Sequence, residues 1–181
     1  TLFGRGTLAV RHLFRLKKFF SGVIGSFLTV FRGLVMRLRI SSVGSYKENT
    51  LRFLAIRMKG GEDRALKVSA SLMAPLVPSD AVLIPIPSRE GNATFTLKLA
   101  EYIAKLSGAE VSDICRGKKR ESFCELKRKG IRTVNDDFFG FYLTEEAPKN
   151  KTVIFIDNVS ATGLTAQNAV DLIPNSSVLV L

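Results

Sequence analysis

The sequence predicts an α/β domain with a central, mainly parallel sheet flanked by helices. Two short apolar runs carry most of that prediction. Val82, Leu83, Ile84 and Ile86 are closed by Pro87, and Val153-Ile154-Phe155-Ile156 ends on Asp157. Both are rich in β-branched residues and lack polar alternation, as strands buried on both faces do. Around them lie stretches whose apolar residues recur three and four apart, with Gly and Pro at the boundaries. Strands that alternate with helices in this way build a parallel sheet.

Composition sets the scale. The chain has 181 residues, 46% hydrophobic and 24% charged, which suits one globular domain with a full core. Cys115 and Cys124 have no C-x-x-C spacing and no histidine nearby, so neither a zinc site nor a structural disulfide is expected. A reduced, cytoplasmic setting is the default. Of the net charge of +11, residues 1–40 supply 8 through Arg5, Arg11, Arg15, Lys17, Lys18, Arg32, Arg37 and Arg39, with no acid. The remainder is only mildly basic.

Residues 1–45 read as a basic, apolar N-terminal extension and 46–181 as the main domain. In the extension, Leu13, Phe14, Leu16, Phe19, Phe20, Val23, Ile24, Phe27 and Leu28 recur at roughly helical spacing among cations. Three readings stay open: an amphipathic helix on an anionic membrane or on nucleic acid, a targeting segment, or a poorly ordered extension. The stretch over residues 22–31 is too short to span a bilayer. His12, the only histidine, falls here and is not expected to act as a base.

Ser41–Ser45 is a small-residue break. Leu51, Leu54, Ala55 and Met58 mark a helical face that Gly60-Gly61 stops. Glu62 and Asp63 open a second helix with Leu66, Val68, Ala70, Leu72 and Met73 as its apolar positions, ended by Pro75 and Pro78. The first strong strand follows over residues 80–87, then the polar loop Ser88–Asn92, then a helix from Ala93 to Leu106 with Gly108 as its stop. Glu110–Ile114 reads as a short strand. Residues 116–137 hold many cations and no clear period, which predicts a long mobile loop with a helical turn around Glu121–Lys129. Phe138–Leu143 reads as a strand, Val153–Ile156 as the second buried strand, Thr165–Ile173 as a helix, and Ser177–Leu181 as the last strand. The apolar helix faces leave room for a homodimer.

Val153–Thr165, VIFIDNVSATGLT, is the stretch with most chemistry in it. A buried strand, a loop of small residues and a helix start together expose free backbone N–H groups and the positive end of a helix dipole to an anion. Asp157, at the strand's carboxyl end, is placed to accept hydrogen bonds from hydroxyls beside that anion. A sugar phosphate suits the combination. The plainer alternative is a strand–turn–helix whose Ser and Thr only cap the helix.

The same residues resemble the phosphoribosyl-diphosphate (PRPP) signature of the type I phosphoribosyltransferases: four apolar residues, an acidic pair, two variable residues, then small/Ser–Thr–Gly–x–Thr. The stretch departs from it at Asn158, which takes the second acidic position, and at Ala161. The order of two helices, VLIPIPSREGNATFTLKLAEYIA, a basic loop, FFGFYL and VIFIDNVSATGLT is most similar to the ComF-like branch, over residues 46–181. The arginine-rich loop usual there is shortened to SREGNAT, and no zinc-ribbon cysteines precede the domain.

This resemblance implies a three-layer type I phosphoribosyltransferase-like fold and a transferase that passes the 5-phosphoribosyl group of PRPP to a nitrogenous acceptor, releasing pyrophosphate. It makes Asp157, Asn158 and Arg89 the catalytic candidates. Asp157, Asn158, Val159, Ser160, Ala161, Thr162, Gly163, Leu164 and Thr165 become the PRPP-binding segment, and Ser88, Arg89, Glu90 and Gly91 the pyrophosphate loop. Lys118, Lys119 and Arg120 become candidates for a flexible loop that closes over the diphosphate; a merely solvated charge run is the alternative. Mg²⁺ is implied as cofactor, carried mainly by PRPP with no direct protein ligand. A non-catalytic protein that binds PRPP or a nucleotide in a DNA-related or regulatory role is the alternative function.

Overall fold

The computed structural model describes residues 38–131, 134 and 137–181. The readings placed on residues 1–37, His12 among them, lie outside the described residues. In chain order the elements are β1 (Ile40–Ser42), α1 (Asn49–Lys59), α2 (Asp63–Met73), a 3-10 turn (Ala74–Leu76), β2 (Val82–Pro85), α3 (Phe95–Ser107), β3 (Glu110–Val111), β4 (Cys115–Arg116), α4 (Phe123–Arg128), β5 (Tyr142–Leu143), β6 (Val153–Ile156), α5 (Leu164–Val170) and β7 (Ser177–Val180).

Five strands form one sheet in the order β1-β7-β6-β2-β3, every pair parallel. The fold is thus α/β with a parallel sheet flanked by helices. β2 and β6, the two continuous apolar runs, lie side by side near its centre, fully buried and in register from Val82↔Val153 to Pro85↔Ile156. Strand alternation sends their residues to two separate cores. Leu83, Ile154, Ile156 and Leu179 pack with Leu51, Ala55 and Met58 of α1, Leu66, Ala70 and Met73 of α2, and Leu99 and Ile103 of α3. Val82, Ile84, Val153, Phe155 and Val178 have the opposite parity and are equally buried. On that side α5 lies against β6 and β7 through its buried Ala166, Ala169 and Val170.

Several boundaries differ from the sequence reading, each for a physical reason. The break at 41–45 overlaps β1, an edge strand of three exposed residues that pairs with β7. Nothing in Ile40-Ser41-Ser42 signals a strand, because the partner strand supplies its order; the compact unit begins at Leu38. Phe138–Leu143 contains only the two-residue β5, paired antiparallel with β4 as a ribbon apart from the main sheet. The strand expected over Glu110–Ile114 is cut to Glu110–Val111, because the chain leaves the sheet for that ribbon. Val68 and Leu72 of α2, read as core, are 42% and 41% exposed; Ala65 and Ser69 face inward instead. Among the described residues no helix is long and apolar enough to cross a membrane.

Ser69 is fully buried, and among the described residues its hydroxyl has no hydrogen-bond partner. Deleting an unpaired buried hydroxyl removes a desolvation cost without opening a sizeable cavity. Ser69→Ala should therefore stabilise the fold by about 1 kcal/mol, or about 3 °C in Tm. Urea and thermal denaturation measure it, and a lower stability would reveal a partner for the hydroxyl.

Candidate functional site

The sheet order places a topological switch point between β2 and β6. From β2 the chain passes through α3 to β3 on one side; from β6 it passes through α5 to β7 on the other. The loops leaving the carboxyl ends of these neighbours therefore diverge, and in open α/β sheets the crevice so formed is where ligands bind. The two loops are the ones that carry the predicted residues: Ser88–Gly91 after β2, and Asp157–Thr165 around the end of β6. The Ile86 N–H donates to the Ile156 carbonyl at 3.0 Å, so the strands stay joined up to the loops' roots. The buried Thr96 hydroxyl donates to the Ile86 carbonyl at 2.8 Å and ties the start of α3 to the end of β2.

Asp157 follows the last strand residue and Asn158 stands at a bend, and their side chains go to different partners. Asn158 has the parity of Ile156 and turns toward α1, where its Nδ2 donates to the Ala55 carbonyl at 3.5 Å. A carboxylate could not make that bond. Asp157 has the parity of Phe155; its backbone N–H donates to Leu179 O at 3.1 Å, and its Oδ1 accepts the Asn158 N–H at 2.7 Å. Burial pushes its carboxyl up to about 6, against the pull of the Asn158 N–H and the charges of Lys59 and Arg120. One carboxylate thus serves the position where the resemblance implied an acidic pair.

Beyond it, Val159 packs against the core, while Ser160 and Thr165 are half-buried and Ala161 and Thr162 exposed. Gly163 has φ +77° and a Cβ there would meet only Leu38 Cδ2, at an ordinary contact of 3.7 Å, so the glycine is required by the left-handed backbone and not by crowding. Its carbonyl accepts the Gln167 N–H at 2.8 Å and starts α5. The Leu164 N–H approaches the Thr162 hydroxyl at 3.4 Å. α5 runs Leu164–Val170, shorter than the expected 165–173.

The β2 loop is a turn: Gly91 N–H donates to Ser88 O at 3.1 Å and Ser88 N–H to Asn92 O at 2.9 Å. Residues 117–120, read as part of a mobile loop, are docked on it. Gly117 N–H donates to Gly91 O at 2.9 Å and Arg120 N–H to Arg89 O at 2.9 Å. Gly91 has φ +90°, and a Cβ on it would run into the Gly117 carbonyl, so this glycine lets the backbones meet, while a Cβ on Gly117 would press on the Phe141 ring. Lys118 N–H donates to Phe139 O at 3.0 Å. The Arg120 guanidinium lies 4.9 Å and 5.4 Å from the Phe139 and Phe141 ring centroids.

The cations expected to meet a diphosphate have carboxylate partners of their own. Arg89 pairs with Glu125 at 3.0 Å and Glu90 at 3.4 Å, Lys119 with Glu90 at 3.3 Å, and Lys118 with Asp137 at 2.5 Å. Among the described residues Arg120 forms no ion pair. Its Nη1 donates to Ser88 O at 3.1 Å, and burial draws its pKa below the ordinary arginine value while the Asp157 charge opposes that fall. A cleft of about 390 Å³ opens beside it, lined by Arg89, Glu90, Lys119, Arg120, Glu121 and Glu125.

Sequence reasoning missed Glu125, although Ser122-x-x-Glu125 is a capping-box pattern. Ser122 N–H donates to Glu125 Oε2 at 2.7 Å and Glu125 N–H to Ser122 Oγ at 3.2 Å. The Ser122 bonds, and then Arg89, hold the Glu125 carboxyl down to about 2. Lys59, Gly117, Phe139 and Phe141 were also missed, because only the folded chain brings them here. Cys115 is a buried free thiol pushed up to about 12, so it is inert. Among the described residues no group of His, Cys, Asp and Glu side chains could hold a metal ion.

Compared with protein-family models, with curated proteins and with solved structures, the chain gives no match.

The raised Asp157 acidity constant makes a pH prediction with a definite sign. Unfolded, the carboxyl ionises near 3.8; folded, near 6, so the native state loses stability as pH rises through that window. Asp157→Asn removes the loss. Its Tm should exceed that of the parent chain at about pH 7.5 and approach it below about pH 4. Thermal scans across pH measure this, and an equal Tm at both ends overturns it.

Proposed function

We propose that this chain is a PRPP-binding protein of the type I phosphoribosyltransferase kind, ComF-like, which transfers the 5-phosphoribosyl group to a nitrogenous acceptor and releases pyrophosphate. The observation that carries the reading is the switch point: Ser88–Gly91 and Asp157–Thr165 leave adjacent, in-register parallel strands at the same sheet edge. A ligand with a ribose at the end of β6 has its hydroxyls at the Asp157 carboxylate and its 5′-phosphate over the Ser160–Thr165 loop. Its diphosphate then points toward Ser88–Gly91.

The chemistry asked of such a site is modest. The acceptor nitrogen bonds to the anomeric carbon as the bond from that carbon to the diphosphate oxygen breaks, through an oxocarbenium-like state. The chain's residues hold both ends of the ribose phosphate and orient the anomeric carbon. Asp157, ionised above about pH 6, accepts from the ribose hydroxyls and sits beside the developing positive charge. Mg²⁺ would neutralise the leaving diphosphate. With Asp157 as the single carboxylate at the strand end, the ion's ligands would be chiefly the substrate's own oxygens.

A second reading is a non-catalytic PRPP or nucleotide binder. It is favoured by Asn158, which is spent on Ala55 and leaves the ribose with one acid. The two divide on a pair of measurements. Calorimetric titration with PRPP and Mg²⁺ should give one-site heat that Asp157→Asn removes; no heat in the parent chain overturns both readings. Pyrophosphate release on a panel of purine and pyrimidine acceptors then separates enzyme from binder.

A further inference from the structure

We propose that Arg120 is the positioning residue of the turn after β2: it holds the Ser88 and Arg89 carbonyls on its own side and so keeps the Arg89 N–H turned outward as a donor for the ligand's diphosphate. This rests on the reading of Ser88–Gly91 as the diphosphate loop.

The argument begins with the charges. Arg89, Lys118 and Lys119 are exposed and paired with Glu125, Glu90 and Asp137. A diphosphate that relied on them would have to displace carboxylates. Backbone donors have no such competitor, but they help only if the turn is fixed. Arg120 fixes it from two directions, since its Nη1 donates to Ser88 O at 3.1 Å and its backbone N–H to Arg89 O at 2.9 Å. In a planar trans peptide the N–H points opposite to the carbonyl. With the Ser88 carbonyl held by Arg120, the Arg89 N–H faces away from it, and among the described residues it meets no acceptor. The Glu90 N–H, next along, is taken by the Ser88 hydroxyl at 3.2 Å.

Arg120 is itself immobilised. The Phe139 and Phe141 rings lie side by side against its guanidinium, and its Nη1 also approaches Lys118 O at 3.4 Å. Phe139 is buried at 1% exposure, so this support belongs to the core. A planar fork can lie against rings and donate in its own plane at once; an ammonium cannot do both equally well. The Gly91–Gly117 contact closes the other end of the turn.

The test is amide NMR on the full chain with inorganic pyrophosphate, in the parent, Arg120→Met and Arg120→Lys. In the parent the Arg89 amide should shift on titration. In Arg120→Met the Arg89 and Glu90 amides should already be displaced without ligand, and pyrophosphate affinity should fall about tenfold with Tm within about 3 °C. Arg120→Lys should recover part of both, and carries the test alone, at about a threefold loss, if the Met variant does not fold. Undisplaced ligand-free amides together with lost affinity would mean that Arg120 touches the anion directly, which overturns the proposal; so does unchanged affinity. A parent that binds PRPP while its Arg89 amide ignores pyrophosphate overturns this inference alone. An Arg89 response without PRPP heat overturns the function and leaves the turn's role standing.

Discussion

The parallel pairing of β2 with β6 is the constraint on which the rest depends. Two four-residue runs, buried on both faces, can satisfy their backbone groups only by pairing with neighbours, and they pair with each other. Once paired, their onward connections must diverge, because β3 occupies one flank and β7 the other. The crevice is a consequence of chain routing before any side chain is considered. Helices α1, α2 and α3 cover one face through Leu83, Ile154 and Ile156, and the opposite parity seats α5 on the other. Lengthening or slipping either strand by one residue would exchange those two cores and turn Asp157 toward α1.

Electrostatics at the crevice are arranged for rigidity more than for net charge. The basic segment suggests a positive surface, yet the folded chain answers four of its eight cations with acids: Arg116 with Asp113, Lys118 with Asp137, Lys119 with Glu90, Lys129 with Glu121. Exposed pairs of this kind contribute little to stability individually. Their effect is to leave the cleft nearly neutral and to fix where each side chain lies. Arg120 differs in being partly buried, set against rings and bonded to carbonyls, with Asp157 as the unlike charge that holds its pKa up. The half-buried Asp157 carboxyl, whose pKa its surroundings push up to about 6, costs folding free energy once it ionises, a pattern that recurs at functional sites and in structural ion networks alike.

What was legible in the sequence followed from burial. β2, β6 and the faces of α1 to α3 show as apolar runs or helical periods because their own residues make the core. β1 and β5 do not, since Ile40–Ser42 is exposed and Tyr142–Leu143 is held by its partner in the ribbon. For the site, Asp157, Gly163 and the Ser88–Gly91 turn could be found from local pattern. The docking of Gly117–Arg120 could not, because it needs two glycines 26 positions apart to meet and two phenylalanines to come behind the arginine. The Ser122–Glu125 box was readable, but not that its glutamate would also hold Arg89. Charge runs state the inventory and leave the pairing to the fold.

Asn158 shows how strand parity bears on function. Adjacent residues at a strand end cannot both face one ligand unless the backbone turns between them. Here the chain does bend at Asn158, yet its amide is taken to Ala55 on the α1 side while Asp157 keeps the parity of Phe155. An acid at 158 would meet the Ala55 carbonyl, a repulsive contact, and would stand beside a neighbour whose carboxyl burial already raises to about 6. The amide removes both conflicts and fastens the end of β6 to α1, the helix whose Lys59 also acts on Asp157. Asn158 is therefore intelligible as a support for the single carboxylate, which concentrates the ribose-facing chemistry of the proposed site on Asp157.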